Sequence, residues 1–336
     1  MAGSALEPLD HTENLDMSVH ISGSIAFDNI LVFEGRFRDH ILPDHVHMLN
    51  VAFLAPQMRQ EFGGCAANIA YTLNALGQPC SLLGAIGKDG EEYLDRLAQL
   101  GIDVSNVLTA VDCFSAQAFI TTDLDDNQIT AFHPGAMNRA GEVGIGSGAK
   151  LGIVSPNGKE AMLRHAQEFS DQGVSFIFDP GQAMPIFNKE ELQRFVSQAN
   201  WLTVNDYEGH MLAEKLGVGL ASLANVVAGG LVVTRGSEGV DIYDQSGMTR
   251  IEGLNVEKIF GAKAVDPTGC GDAFRGGLLF GLARGADLID SVRLGNIIGG
   301  LKVTHRGAQN HAIDKATIST LLQSLYPDTA TRLKLH

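Results

Sequence analysis

The segment Asp266-Pro267-Thr268-Gly269-Cys270-Gly271-Asp272 combines the features of an anion site with an acid beside it. Its glycines allow a tight turn, and the apolar spacing after Asp272 predicts a helix that begins there. The free N–H groups and the positive dipole end of a helix N-terminus favour negative charge. The N–H groups of residues 269–272 would hold a transferred phosphoryl group while Asp272 accepts the proton of a hydroxyl. This pattern indicates a kinase that acts on an alcohol; the alternative is an acid that only begins a helix after a glycine turn.

Polar residues at two other places suit the binding of an alcohol. The run 19–28 predicts a buried strand and a loop that ends in Asp28, at the strand end where ligands of open α/β sheets gather. A carboxylate there can accept hydrogen bonds from two neighbouring sugar hydroxyls; the alternative is that it only forms an Asx turn. Gly63 and Gly64 precede a predicted helix that carries Asn68. The glycine pair lets a ligand approach the backbone, although small residues also permit close helix–sheet packing.

Two further segments point to a metal ion and a nucleotide. Asn205 and Glu208 lie one helical turn apart, which suits an outer-shell site for hydrated Mg²⁺ but equally suits the capping of a helix. In the segment 234–239 the glycines stand where a loop can lie along nucleotide phosphates. The sequence contains no GxxxxGK(S/T) motif, so we do not expect P-loop chemistry.

The composition is that of a globular, core-forming protein. Of 336 residues, 45% are hydrophobic and 19% charged, and the net charge is −15. Without a basic run, no nucleic-acid partner is expected. No apolar run reaches the ~18 residues of a membrane span, and residues 1–17 predict a flexible extension rather than a signal peptide. The four cysteines form no CxxC pair, which favours reduced thiols in a cytoplasmic enzyme.

The elements that must position these residues follow from alternating strand and helix patterns. Such alternation predicts an α/β fold with a doubly wound, mostly parallel sheet and helices on both faces, in one domain over residues 18–330. The predicted strands lie at 80–86, 151–155, 174–179, 201–205 and 231–235, followed by a hairpin at 239–254. The predicted helix that carries Asn68 ends at 76. The other predicted helices lie at 91–100, 159–172, 189–199, 206–216, 272–284, 287–304 and 314–325.

Two segments, about 29–62 and 111–136, differ from the rest of the chain. Both contain short alternating stretches that are typical of strands, such as 30–33, 46–49, 117–122 and 128–132. Two β excursions from an α/β domain predict a small β lid.

Taken together, these segments resemble the PfkB, or ribokinase-like, family of carbohydrate and nucleoside kinases. Its amino-terminal signature is matched by residues 63–68 with Gly77 and Gly87, and its carboxy-terminal signature by residues 266–272 with Gly276 and Gly277. The resemblance spans roughly residues 18–310. Further segments look like the bacterial adenosine kinase group of this family: 23–26, 35–37, 42–45, 134–137, 205–208 and 271–275.

The resemblance implies ATP- and Mg²⁺-dependent phosphorylation of the 5′-hydroxyl of a purine nucleoside. Asp272 would be the general base, and the implied anion hole is formed by Gly269, Cys270, Gly271 and Asp272. The implied substrate-binding residues are Ser24, Asp28, Gly63, Gly64, Asn68, Gln117 and Phe119. The implied ATP-binding residues are Asn205, Thr234, Gly236, Gly239, Asp266, Gly269, Gly271 and Asn296. Asn205 and Glu208 would hold Mg²⁺ through water, and the family likeness suggests a homodimer through the lid. A requirement for K⁺ and the preferred base stay open.

Two positions depart from the family pattern, and the second bears on the substrate. Cys270 stands where the family usually has Ala, Gly or Ser. After Asp179-Pro180, where many sugar kinases carry a basic residue, this chain has Gly, Gln, Ala and Met, which favours a neutral nucleoside over a phosphorylated sugar. The alternatives are a ribokinase-type sugar kinase and a non-catalytic sugar or nucleoside sensor on the same fold.

Overall fold

The computed structural model describes residues 18–41, 50–125, 127–333 and 335. The predicted extension 1–17, the strand-like stretch 46–49 and the family-like segment 42–45 lie outside the described residues. The strands are β1 (Ser18–Ser22), β2 (Ala26–Val32), β3 (Gln57–Gly63), β4 (Cys80–Gly87), β5 (Val107–Ala110), β6 (Ala116–Thr122), β7 (Gln128–His133), β8 (Ala149–Val154), β9 (Ser175–Phe178), β10 (Trp201–Asn205), β11 (Leu231–Thr234), β12 (Gly239–Asp244) and β13 (Gly247–Glu252). The α-helices are α1 (Cys65–Ala75), α2 (Glu91–Gln99), α3 (Lys159–Asp171), α4 (Lys189–Gln198), α5 (Asp206–Leu216), α6 (Leu220–Ala224), α7 (Val256–Phe260), α8 (Cys270–Ala283), α9 (Leu288–Lys302), α10 (Lys315–Leu325) and α11 (Pro327–Arg332).

Within the described ranges, nine strands form the main sheet in the order β13-β12-β11-β10-β9-β8-β1-β4-β5. The seven strands from β11 to β5 in this order pair in parallel, and the β12–β13 hairpin adds an antiparallel edge. The prediction of a doubly wound, mostly parallel sheet is confirmed.

Alternate residues of the central strands enter two different cores. Val232 of β11 packs with residues of α1, α8 and α9 in one core, whereas its neighbours Leu231 and Val233 pack with α3, α4 and α5 in the other. Both faces of the sheet are therefore apolar, as expected for parallel strands that are covered on both sides. The polar strand ends are consequently left to form a site at the carboxyl edge.

A second sheet has the strand order β3-β2-β6-β7. Its strands come from the two excursions that the sequence indicates, so the small β lid is confirmed, although it begins earlier, at Ala26. The prediction for Asp28 is corrected: it lies inside β2 of the lid, not in a loop that ends a core strand. The core strand β1 ends at Ser22, and Ala26–Val32 then pair with β3 and β6 of the lid.

The sequence patterns missed the short elements β5, α6, α7 and α11, which have four to six residues each. α8 begins two residues earlier than predicted, at Cys270. In the part of the chain that the structure describes, no helix is long and apolar enough to cross a bilayer.

Candidate active site

The turn over residues 266–272, here called the phosphate turn, leads into α8. Gly269 caps α8 in the left-handed conformation, with φ of 75°, and a Cβ at this position would lie 2.7 Å from the Cβ of Ala308. Both the backbone conformation and the close approach require glycine. The N–H groups in the first turn of a helix have no acceptor within the helix, so those of Gly271 and Asp272 are placed for an anion.

The structure corrects the prediction for Cys270. Its N–H donates to the carbonyl oxygen of Pro267 at 3.1 Å, so this group is occupied within the turn. The thiol contacts the carbonyl oxygen of Asp266 at 3.7 Å. Burial raises the pKa of the Cys270 thiol to about 11. The residue therefore stabilises the turn as a neutral thiol, and its N–H group does not contribute to the candidate hole.

Asp272 and Asn68 are brought together, as the sequence implies. The amide nitrogen of Asn68 donates to Oδ2 of Asp272 at 2.8 Å. Burial raises the pKa of Asp272 above its ordinary value, while the hydrogen bond from Asn68 and the charge of Arg275 oppose that shift. A buried carboxylate with a raised pKa suits the acceptance of a hydroxyl proton.

Gln309 is a residue of this site that the sequence patterns missed. Its amide nitrogen donates to Oδ1 of Asn68 at 2.9 Å and to the hydroxyl of Tyr93 at 2.6 Å, and its carbonyl oxygen accepts from Arg96 at 2.7 Å. These bonds fix which end of the Asn68 amide faces Asp272. Gln309 lies 241 residues from Asn68 in the chain, so no local pattern could have linked them.

The lid brings Asp28 close to Asp272. Asp28 pairs across strands with Glu61, and burial together with the negative charges of Glu61, Asp272 and Asp266 raises the pKa of Asp28 to about 6. A Cβ on Gly63 would lie 2.5 Å from Oδ2 of Asp28, so the glycine leaves the space that this carboxylate occupies.

Gly64 and Ser24 complete the wall between the lid and α1. Gly64 has φ of 91°, and a Cβ there would lie 2.5 Å from the carbonyl oxygen of Ser24. The hydroxyl of Ser24 accepts the N–H of Cys65 at 3.0 Å at the start of α1. Ser24, Gly63 and Gly64 therefore lie beside Asp28 and the start of α1, while Asn68 contacts Asp272 directly.

Gln117 and Phe119 lie on the other face of the lid. In β6 the residue that pairs with Asp28 is Ala118, and side chains of a strand alternate between its two faces. Gln117 donates to Asp89 at 2.9 Å. The residues that share the face of Asp28 are Ala118 and its β7 partner Phe132, which is 52% exposed.

A cavity of about 320 Å³ lies between the phosphate turn, the 234–239 loop and α9. Five predicted ATP-binding residues line it: Thr234, Gly236, Gly239, Gly271 and Asn296. The remaining lining is mostly apolar and includes Val240, Leu254, Val256 and Phe274. A cavity with an apolar lining and a few polar groups is typical of sites for a flat, mostly apolar group such as a nucleobase.

The three other predicted ATP-binding residues, Asp266, Gly269 and Asn205, do not line this cavity. The carboxylate of Asp266 accepts N–H groups from Thr268 at 2.9 Å and Gly307 at 2.8 Å, which stabilises the turn from behind. Asn205 lies at the carboxyl end of β10.

Asn205 and Glu208 form a reciprocal capping box at the start of α5. Oδ1 of Asn205 accepts the Glu208 N–H at 2.7 Å, and Oε2 of Glu208 accepts the Asn205 N–H at 2.8 Å. Burial and the charge of Asp179 raise the pKa of Glu208. No group of three or more His, Cys, Asp or Glu side chains that suits direct binding of a metal ion occurs among the described residues. The pair fits Mg²⁺ only through water, with the second oxygen of Glu208.

Arg275 is a further residue that the sequence analysis did not select. It is buried in α8, donates to Oδ1 of Asp179 at 2.7 Å and to the carbonyl oxygen of Gly271 at 3.1 Å. Burial works against its charge, but Asp179 beside it outweighs burial and raises the pKa of Arg275. This ion pair connects the phosphate turn to the end of β9.

The model of the pfkB carbohydrate kinase family matches residues 32–316 of the chain. The chain belongs to this family. Among its relatives, the nucleoside kinase of Methanothermobacter thermautotrophicus is 31% identical over 298 residues, which are 87% of this chain and 91% of that protein. The structure of Burkholderia thailandensis nucleoside kinase in complex with inosine is 44% identical, has a TM-score of 0.82 and covers 92% of this chain and 98% of its own. The same enzyme in complex with ADP-inosine is 45% identical, with a TM-score of 0.78 and coverages of 92% and 96%.

This pfkB kinase is therefore a phosphotransferase with an alcohol group as acceptor. The kinase prediction is confirmed, and the alternative of a non-catalytic sensor is not supported.

Proposed function

We propose that this kinase transfers the γ-phosphoryl group of Mg²⁺·ATP to the 5′-hydroxyl of a purine nucleoside. The observation that carries the proposal is the position of Asp272. It lies in the first turn of α8, hydrogen-bonded to Asn68, near enough to Asp28 of the lid to raise its pKa and next to Gly271, which lines the 320 Å³ cavity. Nucleoside kinases among the relatives, one of them bound to inosine and to ADP-inosine, support this choice of acceptor and donor.

In the proposed reaction, the carboxylate of Asp272 accepts the proton of the 5′-hydroxyl as the hydroxyl oxygen attacks the γ-phosphorus atom of ATP, and ADP leaves. The N–H groups of Gly271 and Asp272 hold the charge on the transferred group. Magnesium would be held through water by Asn205 and Glu208, and when bound it neutralises phosphate charge. Asp28 accepts hydrogen bonds from two ribose hydroxyls, which fixes the position of the nucleoside relative to Asp272.

The charge of the cleft supports a neutral acceptor. Asp28, Glu61 and Asp272 are close enough that each of the other two raises the pKa of Asp28. A phosphorylated sugar would meet these carboxylates, and no basic side chain follows Asp179 to compensate. The apolar face formed by Ala118 and Phe132 suits a flat base, since aromatic rings and bases stack.

The test is ADP release from Mg²⁺·ATP with adenosine, inosine, guanosine, cytidine, ribose or fructose 6-phosphate as acceptor. We expect turnover of a purine nucleoside and a loss of kcat of about 10²–10⁴ in Asp272→Asn, the usual contribution of a general base. Asp171→Asn, an exposed acid at the end of α3, is the matched control and should keep full activity. Turnover of ribose alone would favour the ribokinase-type alternative, and an unchanged rate in Asp272→Asn would remove this residue from the mechanism.

We also propose a homodimer through the outer face of the lid, together with a cytoplasmic location and no nucleic-acid partner. Met58, Phe119 and Ile129 lie on the lid face opposite Asp28 and are 63%, 43% and 42% exposed. Neighbouring exposed apolar side chains favour association. Sedimentation analysis should give a dimer for the wild type and a monomer for Phe119→Ser; a wild-type monomer would contradict this.

A further inference from the structure

Lys302, the last residue of α9, carries an ammonium group for which the reaction above has no use. Its side chain is fully buried, with 0% exposure. The ammonium donates to the carbonyl oxygens of Asp266 at 2.9 Å and His305 at 3.1 Å. A buried charge is costly unless it is well partnered, so an ammonium in this place calls for a physical explanation.

The ammonium joins the phosphate turn to the loop over residues 302–307. Val265, next to the turn, donates to the carbonyl oxygen of Val303 at 2.8 Å, and the N–H of Gly307 donates to the carboxylate of Asp266 at 2.8 Å. Burial acts to raise the pKa of Asp266, but its N–H donors and the charge of Lys302 hold that pKa below its ordinary value. Two backbone segments therefore close around one positive charge directly behind the turn.

Backbone carbonyl oxygens around a monovalent positive charge are also the environment that K⁺ selects in proteins. An ammonium ion and K⁺ carry the same charge, and both can be bound by such oxygens. We propose that the ammonium of Lys302 acts as a built-in monovalent cation that holds the phosphate turn in place, so that phosphoryl transfer needs no free K⁺. Lys302 is thus a positioning residue: its contacts are with the backbone of the turn and the following loop.

This inference rests on the proposed role of the phosphate turn, and the test uses two variants that differ in the space they leave. Lys302→Ala removes the charge and opens room between the two carbonyl oxygens for a small cation. Lys302→Met removes the charge but fills that room with an apolar chain of similar length. Lys150→Met, an exposed lysine at the start of β8, is the control for the loss of a positive charge.

Initial rates are measured at one ionic strength in choline chloride, KCl and NH₄Cl. We expect the wild type and Lys150→Met to be equally active in all three salts. In choline chloride, both Lys302 variants should lose about 10²-fold in kcat, the size of effect that follows from a small misplacement of reacting groups. KCl or NH₄Cl should restore Lys302→Ala by at least about tenfold but leave Lys302→Met slow. Three results would overturn the proposal. They are full activity of Lys302→Ala in choline chloride, rates of both Lys302 variants that do not rise in KCl or NH₄Cl, and a wild type that requires K⁺.

Thermal melting without substrate separates this inference from the identity of the acceptor. The midpoint of Lys302→Ala should be higher in NH₄Cl or KCl than in choline chloride, whereas those of the wild type and Lys302→Met should not change with the cation. If Lys302→Ala is unfolded in choline chloride, its refolding in NH₄Cl is the measurement, and recovery supports the proposal. Equal behaviour in all salts overturns it, whichever alcohol the enzyme phosphorylates.

Discussion

Replacing Arg275 by Met leaves the carboxylate of Asp179 buried without its cation. The two side chains are 8% and 3% exposed, so water cannot replace the lost partner. Removal of one partner from a buried ion pair destabilises a protein by about 3–5 kcal/mol. With an unfolding entropy of about 2.1 cal/mol/K per residue over about 300 residues, each kcal/mol shifts the melting midpoint by about 1.6 °C, so a fall of about 5–8 °C is expected.

The assay is urea and thermal unfolding of three variants. Asp179→Asn/Arg275→Met removes both charges and should recover most of the stability, because the single variant suffers mainly from the uncompensated carboxylate. Arg139→Met is the exposed control: its pairs with Asp112 and Glu142 lie at the surface, and its loss should cost less than about 1 kcal/mol.

The same variants separate stability from turnover. Arg275 also donates to the carbonyl oxygen of Gly271 in the phosphate turn, and the double variant does not restore that bond. We expect its kcat to stay low while its stability returns. The reasoning would be refuted by an Arg275→Met protein within about 1 kcal/mol of the wild type, or by a double variant as unstable as the single one.

Three further predictions concern the acceptor site. Because burial and negative neighbours raise the pKa of Asp28 to about 6, the KM for the acceptor should rise as the pH falls below that value, where the protonated carboxyl loses an acceptor oxygen. Asp28→Asn should abolish this dependence, and a flat wild-type KM between about pH 5 and 8 would contradict it. Gln309→Leu removes the donor to Asn68 and should lower kcat by about 5–30-fold with little change in KM, the equivalent of about 1–2 kcal/mol; an unaltered kcat would show that Asn68 keeps its orientation unaided. Gly64→Ala should lower the unfolding free energy by more than Gly173→Ala, since both have positive φ but only Gly64 has a backbone oxygen 2.5 Å from the new Cβ; equal losses in urea unfolding would argue against the clash.

The sequence could predict those parts of the site that depend on residues close together in the chain. The turn at Gly269 and the helix that carries Asp272 follow from glycine spacing and apolar periodicity. Family-like signatures joined Asn68 to Asp272 across 204 residues, and the structure places their side chains in contact. Alternation of strands and helices was enough for the sheet, because parallel strands need crossover helices.

The remainder depends on tertiary register, which local patterns do not encode. A shift of one residue in a strand reverses the face of every side chain, so the choice between Gln117 and Ala118 could not be made from an alternating stretch alone. Asp28 belongs to the lid because β2 pairs with β3 and β6, partners that lie far away in the chain. The contacts of Gln309 and Arg275 have the same origin.

The lid strand β6 has consequences for how this enzyme could acquire new acceptors. Ala118 and Phe132, which face Asp28, belong to a sheet that contains neither Asp272 nor Asn68 nor Lys302. Substitutions at these two positions would change the shape of the lid face beside Asp28 while Asp272 and the phosphate turn stay as they are. Divergence of substrate preference, in nature or in a mutant library, can therefore proceed in the lid without rebuilding the catalytic core.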